Sequence, residues 1–215
     1  MESEPLTRTI ETAVHGRYLV RVPATAGPWP ALVSFHGYAE DAAVNMAALQ
    51  RIPDIHGWLL VAAQALHPFY TKNERIVASW MTRQDRELAI ADNIRYVAAV
   101  VAAVRDEFRV GPIAFAGFSQ GGAMAYRAAA RVGGAGAIIL AADVPPDVTA
   151  DLPPLLIGRG RSDTMYGENQ LGADLQRLRR MAVDVETCLF DGGHEWTDEF
   201  AAAAGRFLNR IDRKR

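Results

Sequence analysis

Ser119 lies in "AGFSQGG", residues 116–122, with Gly117 two positions before it and Gly121 two positions after it. A free serine hydroxyl is a weak nucleophile, so a base must take its proton and a third group must orient that base. A G-x-S-x-G stretch between a strand and a helix is the sharp turn that exposes a serine Oγ. The bland reading is a serine that caps the following helix. Five histidines compete for the role of base. His15 is expected in a hairpin turn, His56 beside a strand in "DIHGW", and His67 ahead of Pro68, each with a structural role preferred. His36, in "FHGYAED", is expected to shape its loop through a hydrogen bond. His194 is the candidate base, because Gly192 and Gly193 in "LFDGGHEW" give its loop the freedom to swing an imidazole toward the serine.

For the acid, Asp163 in "GRSDTMY" is the first choice and gives the chain order Ser, Asp, His. Asp143, in "AADVPPD", is the second choice and Asp191, three residues before His194, the third. Acyl transfer also needs N–H donors for the tetrahedral oxyanion. The backbone of Gln120, the residue after the serine, is one candidate. Tyr38 is the other, with Ala39 as its alternative, since Gly37 lets the backbone of "HGYAED" turn inward. Cys188 falls inside a strand-like run without flanking glycines, where a thiol is more often packing than nucleophile.

These residues need a scaffold, and the apolar pattern supplies one. Short, nearly continuous apolar runs occur at residues 31–35, 57–63, 112–116, 136–142, 153–160 and 183–190. Such runs suit strands buried on both faces of a parallel sheet. Between them, Ile90, Ile94, Val97, Val101, Val104 and Phe108 mark one helical stripe, and Leu171, Leu175 and Leu178 another. A last helix is expected from Thr197, its N-cap, with two acids in the first turn. Strand–helix alternation means βαβ units and a mainly parallel sheet with helices on both faces. The β-type runs "TRTIETA" and "RYLVRVP" around Gly16 predict an N-terminal β-hairpin. Residues 67–86 show no clear period. Their Phe69, Tyr70, Trp80 and Met81 predict an ordered pocket wall, and Met165 and Trp196 complete the pocket candidates.

The 215 residues are half hydrophobic, which suits a single domain over 1–215 with one substantial core. A formal charge of −2 offers no reason to expect nucleic acid. The basic ending "RIDRKR" reads as a solvated helix end. The polar start is unlike a secretory signal. The most apolar helical stretch, residues 96–104, is far below the ~20 residues of a membrane span. A lone cysteine allows no internal disulfide. The expectation is therefore a cytoplasmic protein without a membrane span. Neither a histidine–carboxylate cluster at ligand spacing nor a phosphate-cradling loop is evident, so no metal or organic cofactor is expected.

With these residues assembled, the chain resembles the phospholipase/carboxylesterase family of α/β-hydrolases, which includes the acyl-protein thioesterases. "HGYAED", "ASWM", "DNI", "GFSQGG", "LLIGRGRSD" and "DGGHEW" occur in the family's order between about Ala31 and Phe207. The resemblance implies an α/β-hydrolase fold, and no separate lid domain is expected because the predicted sheet accounts for most of the chain. It implies Ser119 as nucleophile, Asp163 as acid, His194 as base, and Tyr38 and Gln120 as backbone oxyanion donors. It also implies that Trp80 lies near the substrate, a small-molecule ester. A homodimer is the default assembly, although no feature of the sequence argues for it. The sequence departs from the thioesterase branch in two places. Arg161 and Thr164 replace an acidic residue and a proline around the aspartate, and "HGYAED" replaces "HGLGD". A bulky Tyr38 at the mouth is expected to shorten the acyl site. A short- or medium-chain carboxylesterase is the expected activity. A long-chain thioesterase or lysophospholipase is the alternative, ahead of a non-catalytic scaffold.

Overall fold

Runs rich in Val, Ile, Leu and Ala cannot face water on either side, and they form the inner strands of a seven-stranded sheet. The computed structural model describes residues 4–149 and 151–213. In chain order the strands are β1 (Tyr18–Arg21), β2 (Trp29–Phe35), β3 (Leu59–Ala63), β4 (His67–Tyr70), β5 (Ile76–Ser79), β6 (Val110–Phe118), β7 (Gly136–Leu140), β8 (Leu155–Gly160) and β9 (Val185–Phe190). The main sheet has the order β1-β3-β2-β6-β7-β8-β9, and β4 and β5 form a separate antiparallel pair. All neighbours in the main sheet run parallel except β1 and β3.

The helices are α1 (Ala42–Gln50), α2 (Arg86–Glu107), α3 (Gln120–Ala128), α4 (Glu168–Arg180) and α5 (Asp198–Arg213). Side chains alternate across a strand, so β7 shows how the sheet is covered. At Gly136 the strand meets Ile211 and Phe207 of α5, whereas Ile139, three residues on, lies against Gly122 of α3. An odd separation puts those contacts on opposite faces. Thr197 Oγ1 accepts the Phe200 N–H at 3.2 Å at the start of α5, the capping expected of it. No helix of the described residues is long and apolar enough to cross a membrane.

Two readings need correction. The N-terminal hairpin does not form: residues 4–17 carry no strand, and β1 pairs antiparallel with β3 instead. An isolated two-stranded hairpin is marginal in water, and "TRTIETA" has no apolar face to bury, with Ile10 left 92% exposed. The edge of β3, whose five residues are all buried, is the better partner. Residues 67–86 in turn contain an unanticipated hairpin, β4–β5. The basic C-terminal run is helical to Arg213, and its last two residues lie outside the described ones.

Candidate active site

The turn between β6 and α3 holds Ser119 at φ 52°, ψ −121°. This region is strained for any residue with a Cβ and costs on the order of 1–3 kcal/mol. The surroundings enforce it. Ser119 N–H donates to Leu140 O at 2.9 Å, and Gly122 N–H donates to Ser119 O at 2.9 Å. A Cβ on Gly117 would lie 2.1 Å from Gly121 O, and one on Gly121 would lie 2.1 Å from Phe35 O. Bare backbone at both positions lets the turn close on itself and lets α3 sit against the end of β2. Ser119 makes no side-chain capping bond, so the helix-cap reading does not describe it.

His194 and Asp163 come from loops at the ends of adjacent strands. β8 and β9 pair in parallel, and a Cβ on Gly160 would meet Gly193 O at 2.2 Å, so the two loops touch. His194 Nδ1 stands 2.8 Å from Asp163 Oδ2. Asp163 is 4% exposed, and its Oδ1 accepts the N–H groups of Met165 and Tyr166 at 2.8 and 2.9 Å. Burial alone would raise its pKa, but the bonds from Tyr166 N–H, His194 and Met165 N–H outweigh this and lower it. An ionised Asp163 accepts the proton on Nδ1, which leaves the lone pair on Nε2. That Nε2 is buried and without a hydrogen-bond partner in the described residues. The imidazole packs on Phe118, one residue before the serine, with ring centres 4.9 Å apart.

The other acids are placed differently. Asp143 is exposed at the cavity and makes no hydrogen bond to His194. Asp191 is 94% exposed at its side chain and faces Arg161 at 3.4 Å. His36 is buried, with Nδ1 donating to Gly37 O at 2.7 Å and Nε2 accepting the Ala65 N–H at 3.0 Å. That pattern needs the neutral ring, and burial lowers its pKa accordingly. His36 thus shapes its loop. Cys188 sits half-buried in β9, where burial raises its thiol pKa.

Ser119, Gln120 and His194 line one cavity of about 240 Å³ together with Met81, Arg86 and Met165. Among the donors, Ala39 N–H is already bonded to Ala78 O at 3.1 Å, which removes it as the alternative. The N–H groups of Tyr38 and Gln120 have no partner in the described residues.

Of the aromatic pocket candidates, none lines this cavity. Trp80 is fully buried, its indole N–H bonded to His36 O at 2.9 Å and its ring edge-on to Phe35. It supports the loop from beneath and does not line the cavity. Phe69 stacks on Tyr38, Tyr70 is 72% exposed, and Trp196 packs on Phe200. The Tyr38 ring is 60% exposed and outside the cavity lining, so it does not shorten that space. Of the residues expected in the pocket wall, Met81 and Met165 do line the cavity. No side-chain role was assigned from sequence to Gln120 and Asn93, which hold the site. Gln120 Oε1 accepts the Trp80 N–H at 2.8 Å, its Nε2 donates to Met81 O at 2.8 Å, and Asn93 Nδ2 donates to Trp80 O at 2.6 Å. For Asn93 the signal was a polar residue on the buried face of α2, beside Val97, Val100 and Val101. No group of three or more His, Cys, Asp or Glu among the described residues could hold a metal ion.

No family profile and no curated protein matches the sequence. Solved structures do match. The chain is similar to esterase PE8, at 24% identity and TM-score 0.71, over 91% of this chain and 98% of that one. It is similar to the Bacillus cereus carboxylesterase, at 12% identity and TM-score 0.73, over 91% and 94%. It is also similar to Zea mays acyl-protein thioesterase 2, at 16% identity and TM-score 0.70, over 92% and 99%. The mainly parallel sheet, its strand order and these likenesses define an α/β-hydrolase fold.

Proposed function

We propose that this protein is a serine carboxylesterase of the phospholipase/carboxylesterase type, acting on short or medium acyl chains. The observation that carries the reading is the buried, unpartnered Nε2 of an Asp163-anchored His194, in the same cavity as a serine strained out of any capping role. Neighbours of this fold named as esterases and a thioesterase support it.

In this reading His194 Nε2 takes the Ser119 proton as Oγ attacks the acyl carbon, and Asp163 stabilises the imidazolium without taking the proton. The oxyanion is held by the Tyr38 and Gln120 N–H groups. The positive end of α3, which starts one residue after the serine, favours the same charge. His194 then protonates the leaving alcohol, and water releases the acyl group by the reverse path. The cavity, about 240 Å³, is smaller than the ~300–1,000 Å³ of drug-sized ligand pockets. That favours a short acyl group over a long lipid chain. A long-chain thioesterase or lysophospholipase remains the second reading, supported by the likeness to the maize thioesterase.

The test is hydrolysis of p-nitrophenyl esters from acetate to palmitate by wild type and Ser119→Ala in parallel. The expected outcome is a maximum at short chains and a loss of ~10⁴-fold or more in kcat on substitution. A maximum at long chains would favour the second reading. Equal rates in both proteins would overturn the triad and bring the non-catalytic scaffold forward.

A further inference from the structure

The turn after β2 spends its backbone donors unevenly. Gly37 N–H donates to Glu40 Oε2 at 2.7 Å, Ala39 N–H to Ala78 O at 3.1 Å, and Glu40 N–H to Gly37 O at 3.3 Å. Ala39 takes a left-handed φ of 59° to make this turn. Ala78 N–H returns a bond to Glu40 O at 2.9 Å, which fastens the turn to the end of β5. Of residues 37–40, only Tyr38 keeps an N–H without a partner in the described residues.

The same short segment also holds the other donor. Ser79 Oγ, Trp80 N–H and Met81 O bond the Gln120 side chain, and the Trp80 indole N–H bonds His36 O. Residues 78–81 thus form a strut that reaches both sides of the cavity, and Asn93 of α2 anchors it through Trp80 O. The separation of Tyr38 N–H from Gln120 N–H is referenced to this strut, which the Gln120 side chain ties at one end and the Ala78 backbone and Trp80 indole at the other. At the Gln120 end three bonds share the load. At the Tyr38 end backbone bonds to Ala78 fasten the turn, and within it the Glu40 carboxylate is the side chain that holds the Gly37 N–H.

We infer that Glu40 is a positioning residue for the oxyanion donors: by accepting the Gly37 N–H it closes the 37–40 turn against the strut and leaves the Tyr38 N–H as the turn's free donor. This rests on the esterase reading above. The role is one of hydrogen-bond geometry, so an amide at the same length serves and a shorter or absent side chain does not. Glu40 also lies within electrostatic reach of His194, so a role through charge makes the opposite prediction.

The experiment compares Glu40→Ala, Glu40→Gln and Glu40→Asp on p-nitrophenyl butyrate, with Ser119→Ala as the zero and thermal melts on every variant. Complete removal of an oxyanion donor costs ~10²–10³-fold in kcat, and a donor that is loosened but present costs less. Glu40→Ala is expected to lower kcat about tenfold with KM within about twofold, since the oxyanion exists only beyond the ground state. Glu40→Gln, whose amide oxygen still accepts from Gly37, is expected to lose less than about threefold. Glu40→Asp keeps the charge but not the reach and is expected below Gln. If Glu40→Ala does not fold, the order of Gln over Asp carries the test. Asp matching or exceeding Gln would overturn the proposal in favour of charge. Unchanged kcat in a folded Glu40→Ala would overturn it outright. Wild-type turnover that does not depend on Ser119 would overturn the esterase reading and this proposal together.

Discussion

At the scale of single residues, the proposed mechanism requires one proton to be on the right nitrogen. Asp163 holds Nδ1–H, so Asp163→Asn, which can donate to that nitrogen, would stabilise the wrong tautomer of His194. A fall of ~10⁴-fold in kcat with a folded protein is expected, read by steady-state kinetics beside a melt. The same carboxylate links stability to pH. Its folded pKa is lowered, because hydrogen bonds outweigh the burial that would raise it. Its contribution is therefore complete above the unfolded value of ~3.9 and is lost as pH falls through the lower folded value. Urea midpoints between pH 6 and pH 2 should drop more steeply below about pH 4 in wild type than in Asp163→Asn. Parallel curves would mean the carboxylate contributes nothing through its charge. Ser119 and His194 stood out in sequence because glycines flank a serine and precede a histidine at strand ends, whereas the acid remained a choice among three aspartates. Trp80 misled, since an aromatic beside a glycine-rich site reads the same whether it lines a cavity or lies under it.

At the scale of elements, close approach and buried charge set the limits. Gly121→Ala would press a Cβ against the Phe35 and His36 carbonyls, which are backbone and cannot rotate away. A loss of about 3 kcal/mol or more is expected by urea denaturation; a loss under about 1 kcal/mol would mean α3 shifts freely. Arg127 of α3, whose side chain is fully buried, grips Asp147 with bonds of 2.7 and 2.9 Å and so fixes the loop after β7. The guanidinium holds the Asp147 pKa down against the burial that would raise it. Asp147→Ala would leave the cation unpaired at a cost of about 3 kcal/mol, and adding Arg127→Met should recover part of that loss. Failure of the double variant to recover would mean Arg127 also packs in a way Met cannot replace. The inner strands were legible as unbroken apolar runs. α1 was not, although Ala42, Asn45, Met46 and Leu49 have helical spacing, because one of the four is a polar Asn45 that bonds Ser34 Oγ inside the core.

At the scale of the whole molecule, the sheet is complete without the N-terminal arm. Residues 4–15 are exposed, and the ion pair from Glu11 to Arg95 is between exposed side chains. Deletion of residues 1–12 is expected to change stability by less than about 1 kcal/mol and to leave ester hydrolysis intact; a larger loss would show that the arm packs against the body. The sequence by itself determined the parallel sheet, the order of the helices, and the serine and histidine proposed for the triad, with three aspartates competing for the acid. Those features are written in local periodicity and in residue chemistry, which need no knowledge of distant neighbours. Only the tertiary structure decided that β1 joins β3 instead of a hairpin partner, that Asp163 and not Asp143 meets His194, and that Trp80 is buried beneath the site. Each of these is a competition among locally equivalent choices. It is settled by which backbone edge, lone pair or apolar face the rest of the fold leaves unfilled.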